Sequence, residues 1–111
     1  VFALATLDRE LREEDAYRCD GHAARVLVRE ADLRVVLIVL DAGARIPEHR
    51  AQATTTILAL TGHVKLRLPD RLVDLTAGQL LVLDQALPHD LEADGESAVL
   101  LTLAPKARTP G

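Results

Sequence analysis

From Ala23 onward the chain is cut into short runs of β-favouring residues by turn residues, and this punctuation limits the fold more than any other feature. Ala23–Arg29 and Leu33–Leu40 are joined by the polar Glu30-Ala31-Asp32, and His63–Leu68 is closed by Pro69-Asp70. Arg71–Leu75, Gly78–Leu83, Pro88–Ala93 and Ser97–Leu103 follow. Turn signals about every 8–12 residues over a series of short strands imply an all-β sandwich or a barrel. An immunoglobulin-like sandwich satisfies this spacing as well as a barrel does.

Two of the runs say how they are buried. In L-R-V-V-L-I-V-L (Leu33–Leu40) both faces are apolar. Successive strand side chains point to opposite faces, so something must cover the outer one. A second copy of the chain is the expected cover, with Phe2–Leu4 as an arm that it exchanges, and a homodimer is the predicted assembly. His63–Leu68 alternates more cleanly, with Val64, Leu66 and Leu68 on one face and His63, Lys65 and Arg67 on the other.

The N-terminal section reads differently. Residues 1–6 are a short strand or an arm, and Leu7 to about Tyr17 forms one short helix. Thr6 is its expected N-cap, Asp8 sits in the first turn, Leu7 and Leu11 share a face, and Asp8 pairs with Arg12. Tyr17 anchors that helix, and Asp20-Gly21 ends it. The expected organisation is an arm and helix over 1–22, a β domain over 23–104, and a flexible tail over 105–111 with two prolines and two bases. A chain of 111 residues can bury one core without disulfide or metal staples.

Composition removes several functions. Aromatic residues are 2 % of the chain, so the stacking platforms of sugar and nucleic-acid sites are missing, and the core must be Leu, Val, Ile and Ala. The net charge of −4, with bases scattered along the chain, lacks the footprint of a nucleic-acid binder. No apolar run is long enough to span a bilayer. One cysteine, Cys19, permits no intrachain disulfide, and no signal-peptide pattern opens the sequence, so a cytoplasmic setting is expected.

The stretch Gly43–Gly62, G-A-R-I-P-E-H-R-A-Q-A-T-T-T-I-L-A-L-T-G, resembles the first signature motif of the cupin superfamily. Gly43, His49 and Gly62 occupy the family's glycine, histidine and closing-glycine positions. The second histidine position is Ala51 and the glutamate position is Thr55. Gly78 and His89 match the second motif, whose remaining positions have eroded to Asp84, Ala86 and Ala93. The resemblance spans roughly Ala42–Ala104 and implies a mostly β, double-stranded β-helix or jelly-roll barrel of the RmlC-like kind. In motif-bearing members two histidines and a glutamate of the first motif join a histidine of the second around a metal.

His49, Ala51 and Thr55 share strand parity and are expected to face the barrel interior. His49 and His89 are the candidate ligands for a divalent transition metal. Two imidazoles fall short of the three protein ligands usual for a catalytic zinc, unless Gln52, Asp84 or Asp90 adds to them. Otherwise the pair serves as hydrogen-bonding or acid–base groups in a metal-free pocket, or is simply packed. Thr55 would offer its hydroxyl to a bound carbonyl or carboxylate. Arg45 and Arg50 either attract an anion at the barrel mouth or are solvated rim residues. His63 reads as solvated, His22 as a turn residue without a role, and Cys19 as lacking any catalytic partner.

Three functions follow as alternatives. One is a small-molecule-binding domain using His49, Thr55 and His89. Another is a metal-dependent cupin enzyme of dioxygenase or isomerase type using His49 and His89. The third is an interaction module whose pocket is filled by side chains.

Overall fold

The double-sided apolar run becomes the centre of one of two facing sheets. The computed structural model describes residues 1–49, 53–83 and 89–105, without the side chains of Glu48 and His49. Helices α1 (Leu4–Arg12) and α2 (Asp15–Asp20) precede strands β1 (His22–Arg29), β2 (Arg34–Leu40), β3 (Arg45–His49) and β4 (Ala53–Thr61). Then come β5 (His63–Arg67), β6 (Leu72–Thr76), β7 (Leu80–Leu83), β8 (His89–Ala93) and β9 (Ser97–Pro105). Among the described residues one sheet has the order β1-β2-β9-β4-β7 and the other β3-β8-β5-β6. The paired strands are antiparallel throughout. This is a mostly β, two-sheet jelly roll, as the resemblance implies.

Alternation then sorts the side chains. Ile38 and Leu40 of β2, Ile57 and Ala59 of β4, Val64 and Leu66 of β5, Leu91 of β8, and Val99 and Leu101 of β9 fill the space between the sheets. Without Trp or Met, this interior is aliphatic.

The outer face of β2 is covered by the chain's own helices. Leu37 and Val39 point outward and join Leu11, Ala23 and Ala98 in a second buried cluster, against which Leu4, Leu7 and Tyr17 pack. That corrects the expectation that burial of this face calls for a second subunit. The spacing of Leu4, Leu7 and Leu11 puts all three on one side of α1, so the amphipathic helix supplies the roof. Burying Leu11 completely contributes about 1.5–3 kcal/mol.

The N-terminal reading needs further revision. Helix α1 begins at Leu4, with Ala3 as an N-cap that makes no side-chain cap hydrogen bond, so Thr6 lies inside the helix. There are two helices in place of one, and Phe2–Leu4 is not a strand. The short second turn was hidden because α2 has no buried residue to give it a periodic stripe.

Arg12 fastens this roof. Its guanidinium donates to the carbonyl oxygens of Ser97 (3.0 Å) and Leu40 (3.4 Å), to the Tyr17 hydroxyl (2.8 Å) and to Asp8. It also lies 5.4 Å from the centroid of the Tyr17 ring. The predicted Asp8–Arg12 pair thus forms, and Tyr17 acts as the expected anchor through the same arginine.

Gly62 makes the tight crossing from β4 in one sheet to β5 in the other, with φ of 78°. Beside it, the buried Ser97 hydroxyl accepts from the His63 amide (3.1 Å) and has the carbonyls of His63 (3.1 Å) and Gly95 (2.9 Å) within reach of its proton. At the far end, β9 runs through Pro105, which pairs with Ala53. The rest of the predicted tail, 106–111, lies outside the described residues.

Candidate functional site

The site residues expected from the sequence fall on three strands in two sheets. Thr55 lies on β4, where Ala53, Thr55, Ile57 and Ala59 are buried in alternation. It shares its face with Ile57, so it looks into the barrel, at 3 % exposure. His89 opens β8 and alternates with Leu91 and Ala93, both members of the interior cluster, so it too faces inward, at 4 % exposure.

Both residues sit at the same end of the barrel. β4 and β5 diverge from the turn at Gly62, and β8 runs antiparallel to β5 with Val64 opposite Ala93 and Leu66 opposite Leu91. Four residues beyond Ala59, away from that turn, the chain reaches Thr55 on one sheet. Four residues before Ala93, it reaches His89 on the other. Leu83 and Leu103 pair with Thr55 on either side.

His49 joins this end by backbone pairing. It is the cross-strand partner of His89 at the close of β3, after an irregularity in register between Ile46 and His49. Its side chain lies outside the described residues, as do Arg50, Ala51, Gln52, Asp84, Ala86 and Pro88. The shared parity of His49 and Thr55 along one strand does not describe the fold. β3 ends at His49 in one sheet and β4 starts at Ala53 in the other, so Thr55 faces inward through the alternation of its own strand.

Next to His89, Asp90 points the other way. Its carboxylate receives Arg45 at 2.7 Å and lies 3.6 Å from an Arg67 nitrogen on the outer face of the four-stranded sheet. Arg67 also reaches Glu92 at 2.9 Å. The hydrogen bond to Asp90 raises the Arg45 guanidinium above its ordinary pKa, and the nearby charge of the same carboxylate acts in the same direction. Asp90 is turned away from His89 by strand alternation, which removes it as a metal partner of that histidine. Arg45, exposed and paired with Asp90, fits the rim-residue alternative of its two readings.

His63 stands on the same outer face, as its alternation requires, but it is held more firmly than a solvated residue. Nε2 lies 3.1 Å from Asp74 and Nδ1 3.2 Å from Asp94, with the side chain 33 % exposed. The sequence places these aspartates on other strands and turns, so only the β5–β6 and β8–β9 arrangement brings them to the ring.

Among the described residues no group of three or more His, Cys, Asp or Glu side chains is placed to hold a metal ion. The donor set at the described end of the barrel is one imidazole and one hydroxyl, and a neutral threonine is a poor replacement for a carboxylate ligand. Thr55 and His89 by themselves do not make a metal site.

A profile of the cupin domain matches residues 36–104 of the chain, from β2 through β9. The chain belongs to the cupin superfamily. Solved structures agree with this cupin in fold. A conserved protein of unknown function from Streptococcus pyogenes is 24 % identical, with a TM-score of 0.80 over 97 % of this chain and 89 % of that one. KdgF from Halomonas sp. is 20 % identical, with a TM-score of 0.71 over 78 % of this chain and 82 % of that one. A mutant of salicylate 1,2-dioxygenase from Pseudoaminobacter salicylatoxidans is 18 % identical at a TM-score of 0.79; the match covers 93 % of this cupin and 34 % of the dioxygenase. At these identities the likeness is one of fold, and the fold carries enzymes as well as proteins of unassigned role. No curated protein matches the chain.

A cleft of about 370 Å³ opens between α2, β1 and β3, with Ile38 and Ile46 at its base and Asp20 and His22 among its lining residues. His22, expected to be an idle turn residue, begins β1 and lines this cleft. Cys19 is exposed. No helix among the described residues is long and apolar enough to cross a membrane.

Proposed function

We propose that this cupin is a small-molecule-binding domain whose ligand is held at the barrel end carrying Thr55 and His89, together with His49, the cross-strand partner of His89. One observation carries the reading: two polar side chains are buried from facing sheets at the same end of an otherwise aliphatic barrel. A small-molecule site usually joins an apolar lining to a few convergent polar groups, and this end of the barrel offers both kinds of residue. The ligand expected is a compact, largely apolar molecule with a carbonyl or carboxylate for the Thr55 hydroxyl and the histidines.

The test is a fragment screen by ligand-observed NMR on the wild type and on Thr55→Val and His89→Ala. Fragments that bind the wild type and are lost in both variants support the site. A screen in which all three proteins bind the same fragments, and His89→Ala only lowers Tm, makes the histidine a packed core residue and the domain an interaction module. Elemental analysis of protein purified without chelator decides the enzyme alternative through His49 and His89. Close to one equivalent of a transition metal per subunit would require ligands beyond those described and would bring metal-dependent chemistry forward.

Self-association belongs to the same proposal on different grounds from those of the sequence. The helices roof β1 and β2, while Leu80 and Val82, each 56 % exposed, lie on the outer face of edge strand β7. A second copy of the chain packed there would cover them.

A further inference from the structure

The cleft between α2, β1 and β3 is separate from the barrel end that carries Thr55 and His89. His22 pairs with Leu40, and Leu40 with Ser97, which places this part of β1 toward the Gly62 end of the barrel. The cleft is built before anything enters it. Gly21, with φ of 78°, ends α2 by donating its amide to Tyr17 O at 2.9 Å, and its own carbonyl accepts from Asp41 N at 2.7 Å. That junction holds Asp20 on the helix and His22 on the strand, on either side of one glycine.

The lining has two parts. Ala16, Ala24, Ile38 and Ile46 give it a small-residue wall and an apolar base that continues into the barrel core. Asp20 and His22 add a carboxylate and an imidazole. Among the described residues neither side chain takes part in a hydrogen bond or ion pair. Arg18, the base on the same helix, pairs with Asp15 at 3.8 Å, and among the described residues Asp20 has no cationic partner.

We propose that this cleft binds a primary ammonium carried on a short aliphatic body. An ammonium has three donors and no acceptor. Asp20 accepts from it with opposite charge, His22 accepts through a ring nitrogen, and the aliphatic body lies against Ile38 and Ile46. A carboxylate ligand is repelled by Asp20, and a neutral alcohol forfeits the charge-assisted hydrogen bond. The volume suits a small aliphatic amine, and the preformed rim lowers the ordering cost of binding.

The test is a titration of the full chain, followed by amide chemical shifts, with n-hexylammonium, n-butylammonium, 1-hexanol and hexanoate. The expected result is saturable shifts at Ala16, Asp20, His22 and Ala24 with hexylammonium binding tightest and hexanoate weakest. Each methylene lost from the amine weakens binding up to about fourfold. Asp20→Asn weakens hexylammonium about five- to tenfold and leaves hexanol unchanged. Ala24→Leu, at an exposed position, fills the cleft and removes binding of all four probes. Absence of saturable shifts, hexanoate binding as tightly as the amine, or an unchanged affinity in Asp20→Asn overturns the proposal. Shifts confined to Thr55 and His89 overturn it too, while leaving the barrel-end site standing.

Discussion

Replacing Gly62 with alanine should be among the most damaging single-methyl changes in this protein. Two costs add at that position. With φ of 78°, any L-residue pays for the left-handed conformation, about 1–2 kcal/mol. A Cβ there would also fall inside contact distance of Glu96 O and Ser97 Oγ and 2.9 Å from Ser97 Cα. These neighbours are largely backbone, so the strand start must move. Ser97 is fully buried, and its hydroxyl accepts from the His63 amide, so displacement strands buried polar groups at a further cost of about 1–3 kcal/mol. The sum, about 2–5 kcal/mol, is a large part of the stability of a small domain.

Gly78→Ala is the internal control. Its φ of 87° carries the same conformational penalty, but nothing lies within 4 Å of the added methyl. Urea denaturation of both variants, fitted with a common m-value, separates the two costs. Gly78→Ala should lose about 1–2 kcal/mol, and Gly62→Ala should lose at least 1 kcal/mol more. Equal losses would refute the reasoning, because the steric and polar costs at Ser97 would then be absent.

Other outcomes can be checked with the same preparations. Arg12→Met should cost about 2 kcal/mol in urea denaturation by stranding the carbonyls of Ser97 and Leu40, and Arg12→Lys should recover less than half because it lacks the fork. Thr55→Val keeps the shape of the side chain and should change stability by less than about 1 kcal/mol, while the fragments bound by the wild type are lost in ligand-observed NMR. In light scattering at micromolar concentration the wild type should have the mass of a dimer, and Val82→Lys should shift it toward a monomer. A monomeric wild type ends the self-association proposal.

Much of the fold can be read along the chain because its signals are local. Alternation at His63–Leu68 matches the burial of Val64 and Leu66, and the glycine spacing from Gly43 to Gly62 marks two turns that need positive φ. The resemblance to the cupin motifs pointed to Thr55 and His89, and the alternation of β4 and β8 puts both on inward faces. Local signals failed where the deciding partner lies far away in sequence. Nothing near Asp90 announces Arg45 and Arg67, and nothing near His63 announces Asp74 and Asp94. The one-strand parity drawn from His49 to Thr55 failed for a related reason, since the chain changes sheets between β3 and β4.

Composition and alternation thus determined an aliphatic β domain with a strand at β2 that must be covered on both faces, because burial on a strand follows a period that one residue after another must obey. Tertiary structure alone decided what the roof is. The Leu4–Leu7–Leu11 side of α1 meets Leu37 and Val39 only after the chain has doubled back, and Arg12 then joins helix to sheet through carbonyls 28 and 85 residues away. The same folding-back opened the cleft beside His22 and brought Arg45 and Arg67 to the outward-facing Asp90. Those outcomes depend on which strands become neighbours, and no period within the chain encodes that.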